Sequence, residues 1–271
     1  MIDIHPHVIA EDTRRYPHAP LGGKQSDWSR SRPVSFERML TAMDEAGIEK
    51  SVLVQASTCY GHDNSYLADT VAAHPNRFAG VFSVDMLAPD ATERIRHWMS
   101  RGLTGLRVFI AGHTTAQETR LDDPRSFSAW QCAVDAGLAV CVQLRAAGLP
   151  QLETLLQRFP QARVILDHMA RPVVDDAGSL FALARYRNLF LKFTIHNVRD
   201  AGQTARGFLA RVVEAFGASR IAWGSNYPAA EGSLRSLLTE ARYALGGVSD
   251  ADREWIFSRT AQSLYPATRD C

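Results

Sequence analysis

Two histidines near the amino terminus have the spacing of side chains that act together on one substrate or one ion. His5 and His7 alternate with other residues in Ile2-Asp3-Ile4-His5-Pro6-His7. Alternate residues of a β-strand share a face, so we expect Asp3, His5 and His7 on one face and the two isoleucines packing against helices on the other. Imidazoles about 6–7 Å apart on one strand can converge on a metal ion. Two purely structural histidines are the alternative.

A third histidine follows another apolar strand. Val164–Asp167 is a short β-branched run, and His168 comes directly after it. In a parallel barrel that contains both strands, the three histidines would meet at the carboxyl-terminal mouth. Three imidazoles at an open mouth are enough for one divalent ion, zinc or manganese, with a free coordination position. They permit such an ion without requiring it.

The last apolar strand ends in a third polar motif, Gly224-Ser225-Asn226-Tyr227-Pro228. Glycine permits close approach of the neighbouring backbone. Ser225 and Asn226 would then stand at the rim of the barrel, beside the first strand. An ordinary strand-ending turn capped by the asparagine is the alternative.

The elements that must position these motifs alternate regularly along the chain. The predicted strands are Ile2–His7, Ser51–Gln55, Phe78–Val84, Gly105–Phe109, Ala139–Gln143, Val164–Asp167, Leu189–Phe193 and Ile221–Trp223. Helical periodicity fills the gaps, as in the segment that begins after Ser35 and ends at Gly47. Eight strand–helix units predict a single-domain (β/α)8 TIM barrel over residues 1–271. The rival, a doubly wound open sheet, usually has a glycine-rich turn where this chain has His-Pro-His.

The connection after the first strand is unusually long. The segment from Val8 to Pro33 has neither helical nor strand periodicity. Loops of this length inside compact domains are usually functional or disordered. We interpret it as a lid over the barrel mouth, with Trp28 as a substrate contact; a solvated loop is the alternative.

Composition excludes several classes of protein. Thirty Lys and Arg against 29 Asp and Glu give a net charge of +1, so no basic excess favours nucleic acid or anionic lipid. No run approaches the ~20 apolar residues of a membrane helix, and the first residues lack a signal-peptide pattern. The four cysteines, at 59, 132, 141 and 271, have no CxxC spacing, which favours a reduced, cytoplasmic setting. Apolar helix faces leave open whether the barrel forms a homo-oligomer.

Polar side chains at strand ends indicate the kind of substrate. They are Gln55, Arg107, Gln143, Arg145 and, within strand seven, Lys192. Cations inside apolar strands are costly to bury unless they are paired or face a wet cavity. Arg107 and Arg145 fit carboxylate recognition, because a guanidinium binds a carboxylate through two parallel hydrogen bonds. An internal salt bridge, for example with Asp3, Asp85 or Asp167, is the alternative.

Together, the three motifs give the chain a family resemblance. The motifs are His5-x-His7, Asp167-His168-x-x-Arg171-Pro172 and Gly224-Ser225-Asn226-Tyr227-Pro228. In this order the chain resembles the amidohydrolase superfamily, and within it the amidohydrolase 2 branch of TIM-barrel hydrolases that includes 2-pyrone-4,6-dicarboxylate lactonase. The resemblance covers nearly the whole chain. It implies hydrolysis of a lactone, ester or amide, although some members are decarboxylases or hydratases.

The chain departs from the family pattern at two positions. Asn226 stands where many members have an aspartate that binds metal and takes a proton from water, and an amide is no base at neutral pH. Strand four offers Arg107 and no lysine to bridge two metal ions, so no binuclear site is expected, and the branch includes members that work without metal. His168 and His62 are the remaining candidates for the base.

We therefore predict a hydrolase that opens a lactone, or cleaves a related small carboxylated ester or amide, by attack of water at the barrel mouth. The expected catalytic residues are His5, His7, His168 and Asn226, and the three histidines are also the expected metal ligands. The expected substrate contacts are Gln55, Arg107, Gln143, Arg145, Arg171, Ser225, Tyr227 and Trp28. A metal-dependent non-oxidative decarboxylase and a catalytically silent barrel that binds a small acid are the alternatives.

Overall fold

The computed structural model describes residues 1–110 and 120–269. Its strands are β1 (Ile2–Asp3), β2 (Lys50–Val54), β3 (Phe78–Ser83), β4 (Gly105–Phe109), β5 (Ala139–Gln143), β6 (Arg163–Leu166), β7 (Leu189–Thr194) and β8 (Ile221–Gly224). They form one parallel sheet in the order of the chain. The backbone N–H of Ile4 donates to the carbonyl of Trp223 at 3.1 Å and brings β1 beside β8. This confirms the predicted (β/α)8 barrel.

Helices follow the strands along the chain, and most of them pack on the outside of the barrel. They are α1 (Asp27–Ser31), α2 (Phe36–Ala46), α3 (Ser57–Tyr60), α4 (Ser65–Ala73), α5 (Ala91–Ser100), α6 (Phe127–Asp135), α7 (Leu149–Arg158), α8 (Gly178–Ala182), α9 (Ile195–Ala201), α10 (Ala205–Phe216), α11 (Leu234–Ala244), α12 (Asp250–Glu254) and α13 (Thr260–Leu264). A π-helical turn, Trp255–Arg259, joins the last two. The predicted limits of α2 are confirmed, since the Ser35 hydroxyl accepts from the Arg38 N–H and Gly47 ends the helix at φ 70°.

The inner face of the sheet changes character along the barrel axis. Near the amino-terminal end it is apolar, with Val52, Val81, Cys141 and Ile165 packed in one cluster with Tyr265. At the carboxyl-terminal end the strand register and side-chain alternation place polar residues on the same face. These residues are Ser83, Arg107, Gln143, Lys192 and Thr194. The sheet therefore presents its chemistry at the mouth where β-to-α loops meet.

The first strand differs from its predicted form. Ile2 and Ile4 pack in the inner cluster, so the expectation that they face the helices was wrong. The ladder ends at Asp3, and its carboxylate accepts the backbone N–H groups of His5 (3.0 Å) and Ser225 (2.8 Å). The Asp3 side chain thus replaces main-chain hydrogen bonds of the ladder, and the chain bends at Ile4. Because of this bend, the alternation of side chains between the two faces of a strand does not extend to His5 and His7.

The long connection after β1 lies over the mouth, as expected of a lid. It contains α1, which no sequence period indicates, and α1 carries Trp28. Arg32 anchors its end by donating to the carbonyls of Pro228 (3.2 Å) and Ala229 (2.9 Å). The loop is therefore tied to the segment that follows β8.

Two other expectations concern the cysteines and the membrane. Cys59, Cys132 and Cys141 are free thiols in the structure, and Cys271 lies outside the described residues. Within the described part of the chain, no helix is both long enough and apolar enough to span a bilayer.

Gly224 is required by close packing between β8 and the first strand. A Cβ at this position would lie 2.5 Å from His5 Cβ and 3.0 Å from the His5 nitrogen. We expect Gly224→Ala to lower the free energy of unfolding by about 1–3 kcal/mol through overpacking. Gly207→Ala in α10, where a Cβ would meet nothing within 4 Å, should instead raise it by about 0.5–1 kcal/mol. Urea unfolding measures both; equal stability of G224A and wild type would contradict the prediction.

Candidate active site

The three predicted histidines lie together at the barrel mouth. The ring centroids of His5 and His7 are 4.9 Å apart, and those of His5 and His168 are 4.8 Å apart. His5 is fully buried, while His7 and His168 line a cavity of about 270 Å³. The predicted residues that line this cavity with them are Trp28, Arg107, Gln143 and Asn226. The Trp28 ring stacks over His7 at 5.3 Å and covers that side of the cavity.

Hydrogen bonds fix two of the imidazole rings. His7 Nδ1 lies 2.7 Å from the Val54 carbonyl, which can only accept, so Nδ1 carries the proton of the neutral ring and Nε2 carries the lone pair. His168 Nδ1 lies 2.8 Å from the Thr194 hydroxyl. Both rings are therefore held through Nδ1, and Nε2 is the nitrogen left for chemistry.

Burial keeps the histidines neutral. It lowers the pKa of His7 to about 3, with the Arg107 charge acting in the same direction. Burial likewise places the pKa of His5 and of His168 well below the ordinary range. Neutral imidazoles can accept a proton or bind a metal ion.

This neutrality makes stability depend on pH. The unfolded chain binds protons at His7 below about pH 6.5, whereas the folded chain does so only near pH 3, so folding stability is lost as the pH falls through this window. In metal-free protein we expect each such histidine to cost about 1.4 kcal/mol per pH unit. Urea unfolding at pH 7 and pH 5 measures the slope, and His7→Gln should reduce it. Equal stability of wild type at both pH values would contradict this.

A buried ion network lies beneath the histidines. Asp167 pairs with Lys192 at 2.7 Å and with Arg107 at 3.4 Å, and its carboxylate is 3.8 Å from His5 Nδ1. Burial opposes ionisation of Asp167, but the Lys192 and Arg107 charges hold its pKa below the ordinary value. Arg107 was expected either to bind a substrate carboxylate or to form an internal salt bridge, and the structure shows the salt bridge with Asp167.

Arg107 nevertheless keeps donors for a ligand. It donates from Nε to Asp167, from one terminal nitrogen to the Gln55 carbonyl, and from the other to Gln143 Oε1. A guanidinium has five N–H groups. In the described contacts two of them are uncommitted, and Arg107 lines the cavity.

Asn226 meets a histidine that sequence reasoning missed. Its Nδ2 donates to His196 Nε2 at 2.9 Å, and His196 also lines the cavity. Burial lowers the pKa of His196 to about 4, and the Arg171 charge adds to the effect. Strand β7 ends at Thr194, and His196 and Asn197 follow within the next three residues. Applying the strand-end rule that found His168 to this strand would have identified them.

Several predicted residues lie outside the cavity. Arg145 and Arg171 line a neighbouring cavity, where Arg171 makes two hydrogen bonds of 2.6 Å to Asp200. The Gln55 amide donates to the carbonyls of Gly61 and Asp63 and thus holds the turn after β2. Their roles as substrate contacts stay predictions.

The remaining candidates have structural contacts. Ser225 is fully buried, and its hydroxyl accepts the N–H of Tyr227, which is partly buried. His62, a candidate base, lines a different cavity and bonds the Ser83 hydroxyl at 2.9 Å. The structure therefore does not bring His62 to the three histidines.

The donor chemistry of the site fits one divalent ion. Both ring nitrogens of His5 are buried without a hydrogen-bond partner, and His7 and His168 each retain Nε2. Over residues 1–110 and 120–269, however, no three His, Cys, Asp or Glu side chains converge closely enough to hold a metal as they stand. His5, His7 and His168 are the residues that would hold it.

Known proteins resemble this chain over nearly its whole length. L-fucono-1,5-lactonase of Burkholderia ambifaria is 27% identical over 243 residues, covering 84% of this chain and 80% of that protein. A putative 2-pyrone-4,6-dicarboxylic acid hydrolase from Pseudomonas putida matches with a TM-score of 0.80 at 21% identity, covering 99% and 98% of the two chains. A dihydroxybenzoic acid decarboxylase from Polaromonas sp. with bound manganese matches with a TM-score of 0.73 at 19% identity, covering 99% and 97%.

The two structural matches show the shared fold, and the family follows from the sequence. The sequence model of the amidohydrolase 2 family, described as amidohydrolase, matches residues 2–267. This range contains the histidine pair, the Asp-His motif and the motif that ends β8. The chain belongs to the amidohydrolase family.

Proposed function

We propose that this protein is a hydrolase that opens a small carboxylated lactone by attack of water at the barrel mouth. The observation that carries the proposal is the group of buried, adjacent imidazoles at a cavity of about 270 Å³. The volume lies just below the usual range for ligand pockets, which begins at about 300 Å³ and favours a small substrate here. The family and the lactonase relative support hydrolysis of a lactone.

The residues have complementary roles in this reaction. Water adds to the lactone carbonyl, the ring C–O bond breaks, and the proton lost by water ends on the departing ring oxygen to give a hydroxy acid. When no ion occupies these nitrogens, His168 and His7 each offer Nε2 to take and return that proton. Asn226 binds and orients water or substrate. A divalent ion held by His5, His7 and His168 would supply Lewis acidity at the carbonyl.

The substrate's charge is inferred from Arg107. Its two uncommitted N–H groups can bind one carboxylate at the cavity wall. A neutral, hydroxylated lactone is the contrasting case, because the curated relative is named for a sugar lactone. The free cysteines support a reducing, cytoplasmic setting for the enzyme.

The test combines metal content with turnover. Protein purified without added metal is first analysed for bound ions. Its hydrolysis of 2-pyrone-4,6-dicarboxylate and of L-fucono-1,5-lactone is then assayed by acid release, before and after treatment with a chelator. We expect lactone opening, with the carboxylated substrate preferred. About one equivalent of metal with activity lost on chelation would support the three histidines as ligands. Lactonase activity that survives chelation would support direct action of the imidazoles.

A decarboxylase is the second candidate, because a manganese-bound decarboxylase shares the fold. Release of CO₂ from a dihydroxybenzoate without opening of any lactone would favour it over the hydrolase. Ligand-induced thermal stabilisation with no turnover of either kind would instead favour a silent binding barrel.

A further inference from the structure

The last residue of β7 and the first turn of α9 contact functional side chains that follow two different strands. This turn comes directly after β7, which lies between β6 and β8 in the sheet. His168 follows β6 and Asn226 follows β8. One short segment, Thr194–Asn197, therefore contacts both.

On the β6 side, His168 is held at its ring and at its backbone. The Thr194 hydroxyl bonds His168 Nδ1 at 2.8 Å, and Asn197 Nδ2 donates to the His168 carbonyl at 2.7 Å. Thr194 and Asn197 also fix each other through a capping box, in which each side chain accepts the other's backbone N–H. Both are buried, so water does not compete for these hydrogen bonds. The Nδ1 contact leaves only Nε2 of His168 to face a reactant.

The backbone that carries His168 needs such support. Four successive residues, from His168 at φ 54° to Arg171 at φ 49°, adopt left-handed conformations. L-residues enter this region at a cost, and runs of them persist only where their surroundings hold them. Asn197 holds the first carbonyl of the run, and Asp200, also in α9, holds the Arg171 side chain at its end. The helix thus fixes both ends of the turn.

On the β8 side, the same turn fixes an amide. His196 Nε2 accepts from Asn226 Nδ2 at 2.9 Å. This contact uses one of the two N–H groups of Asn226 and fixes the orientation of the amide, so that its oxygen can accept a hydrogen bond from water or substrate. Asn226 itself stands at φ 61°, which again needs a supporting contact.

We propose that Thr194, His196 and Asn197 are positioning residues, which hold His168 Nε2 and the Asn226 oxygen in a fixed relation at the cavity. The inference rests on the proposed lactone hydrolysis, since it assigns these residues a role in that reaction. They act through His168 and Asn226 and need not touch the substrate. Supporting residues of this kind typically change activity 10–100-fold when they are removed from metal-site histidines, and we expect a similar range here.

Isosteric variants separate positioning from general stability. Thr194→Val removes the hydroxyl and keeps the shape, whereas Thr194→Ser keeps the hydroxyl. We expect T194V to lower kcat about 10–100-fold with KM within about twofold, and T194S to stay near wild type. His196→Leu should likewise lower kcat, and His196→Gln, which can still accept from Asn226, should restore much of it. Exposed His97→Leu, in α5, is the matched control.

Two further readouts keep the inference falsifiable. Circular dichroism and melting temperature show whether each variant is folded, because T194V also removes an N-cap. Nitrogen-15 NMR of the histidine rings reports His168 directly: T194V should move its signals, and T194S should not. Unchanged His168 signals in folded T194V, or changed signals with wild-type kcat, would overturn the proposal. Absence of lactone turnover in wild type would overturn the function instead, and the NMR comparison would still decide whether Thr194 fixes the ring.

Discussion

Replacing His168 by asparagine is expected to lower kcat/KM by roughly 10²–10⁴-fold while leaving the barrel folded. The Asn side chain can still bond the Thr194 hydroxyl in place of Nδ1, but it has no atom at the position of Nε2. Asparagine also tolerates the left-handed backbone at φ 54° better than alanine does. The loss should therefore report the missing cavity-facing nitrogen. Steady-state kinetics with a lactone that the wild type opens measure the loss of kcat/KM. A thermal unfolding curve shows whether the variant is folded.

The same exchange at an exposed histidine provides the control. His97→Asn in α5 lies on the outside of the barrel and should change kcat/KM less than about twofold. H168N with wild-type turnover would remove His168 from the mechanism. Among the described residues, His7 would then be the imidazole at the cavity whose Nδ1 is hydrogen-bonded.

Lys192→Met is expected to give the largest loss of stability, about 3–5 kcal/mol in the free energy of unfolding. Lys192 and Asp167 are both fully buried, and their charged groups are 2.7 Å apart. Methionine fills a similar volume but leaves the Asp167 carboxylate with Arg107 at 3.4 Å as its remaining cationic partner. An inadequately paired charge in the barrel interior is costly because water cannot solvate it. Urea unfolding at neutral pH gives the number.

An exposed ion pair supplies the matched comparison for Lys192. Asp90 directly precedes α5, and Arg94 lies one turn later within the helix. Their charged groups are 2.8 Å apart, and both side chains are roughly half exposed. Arg94→Met should cost no more than about 0.5 kcal/mol. Similar losses in K192M and R94M would show that burial does not set the strength of the inner network.

The barrel could be predicted from sequence because its signals are local. Buried parallel strands are short apolar runs, and the intervening helices repeat apolar residues every three or four positions. The interval between Ser35 and Gly47 illustrates this, since a capping hydroxyl and a left-handed glycine define α2 without help from the rest of the fold. Histidines directly after such runs could likewise be assigned to one end of the barrel.

Predictions failed or stayed incomplete where a residue's partner is distant in sequence. Alternation placed Ile2 and Ile4 outside, but the Asp3 carboxylate replaces part of the ladder and bends the chain. The sequence favoured Arg107 as a contact for a substrate carboxylate over an internal salt bridge, but Asp167, 60 positions away, forms a salt bridge with it.

The order of the elements, the barrel and the placement of His5, His7 and His168 at its mouth could be read from local patterns, because apolar periodicity and capping are properties of neighbouring residues. Three contacts became visible in the folded chain: His196 meets Asn226, Lys192 and Arg107 share Asp167, and Arg145 lines a separate cavity. These contacts depend on the stagger of the strands around the barrel, because the stagger decides which side chains come within hydrogen-bonding distance of one another. A local pattern of residue types contains no information about that stagger.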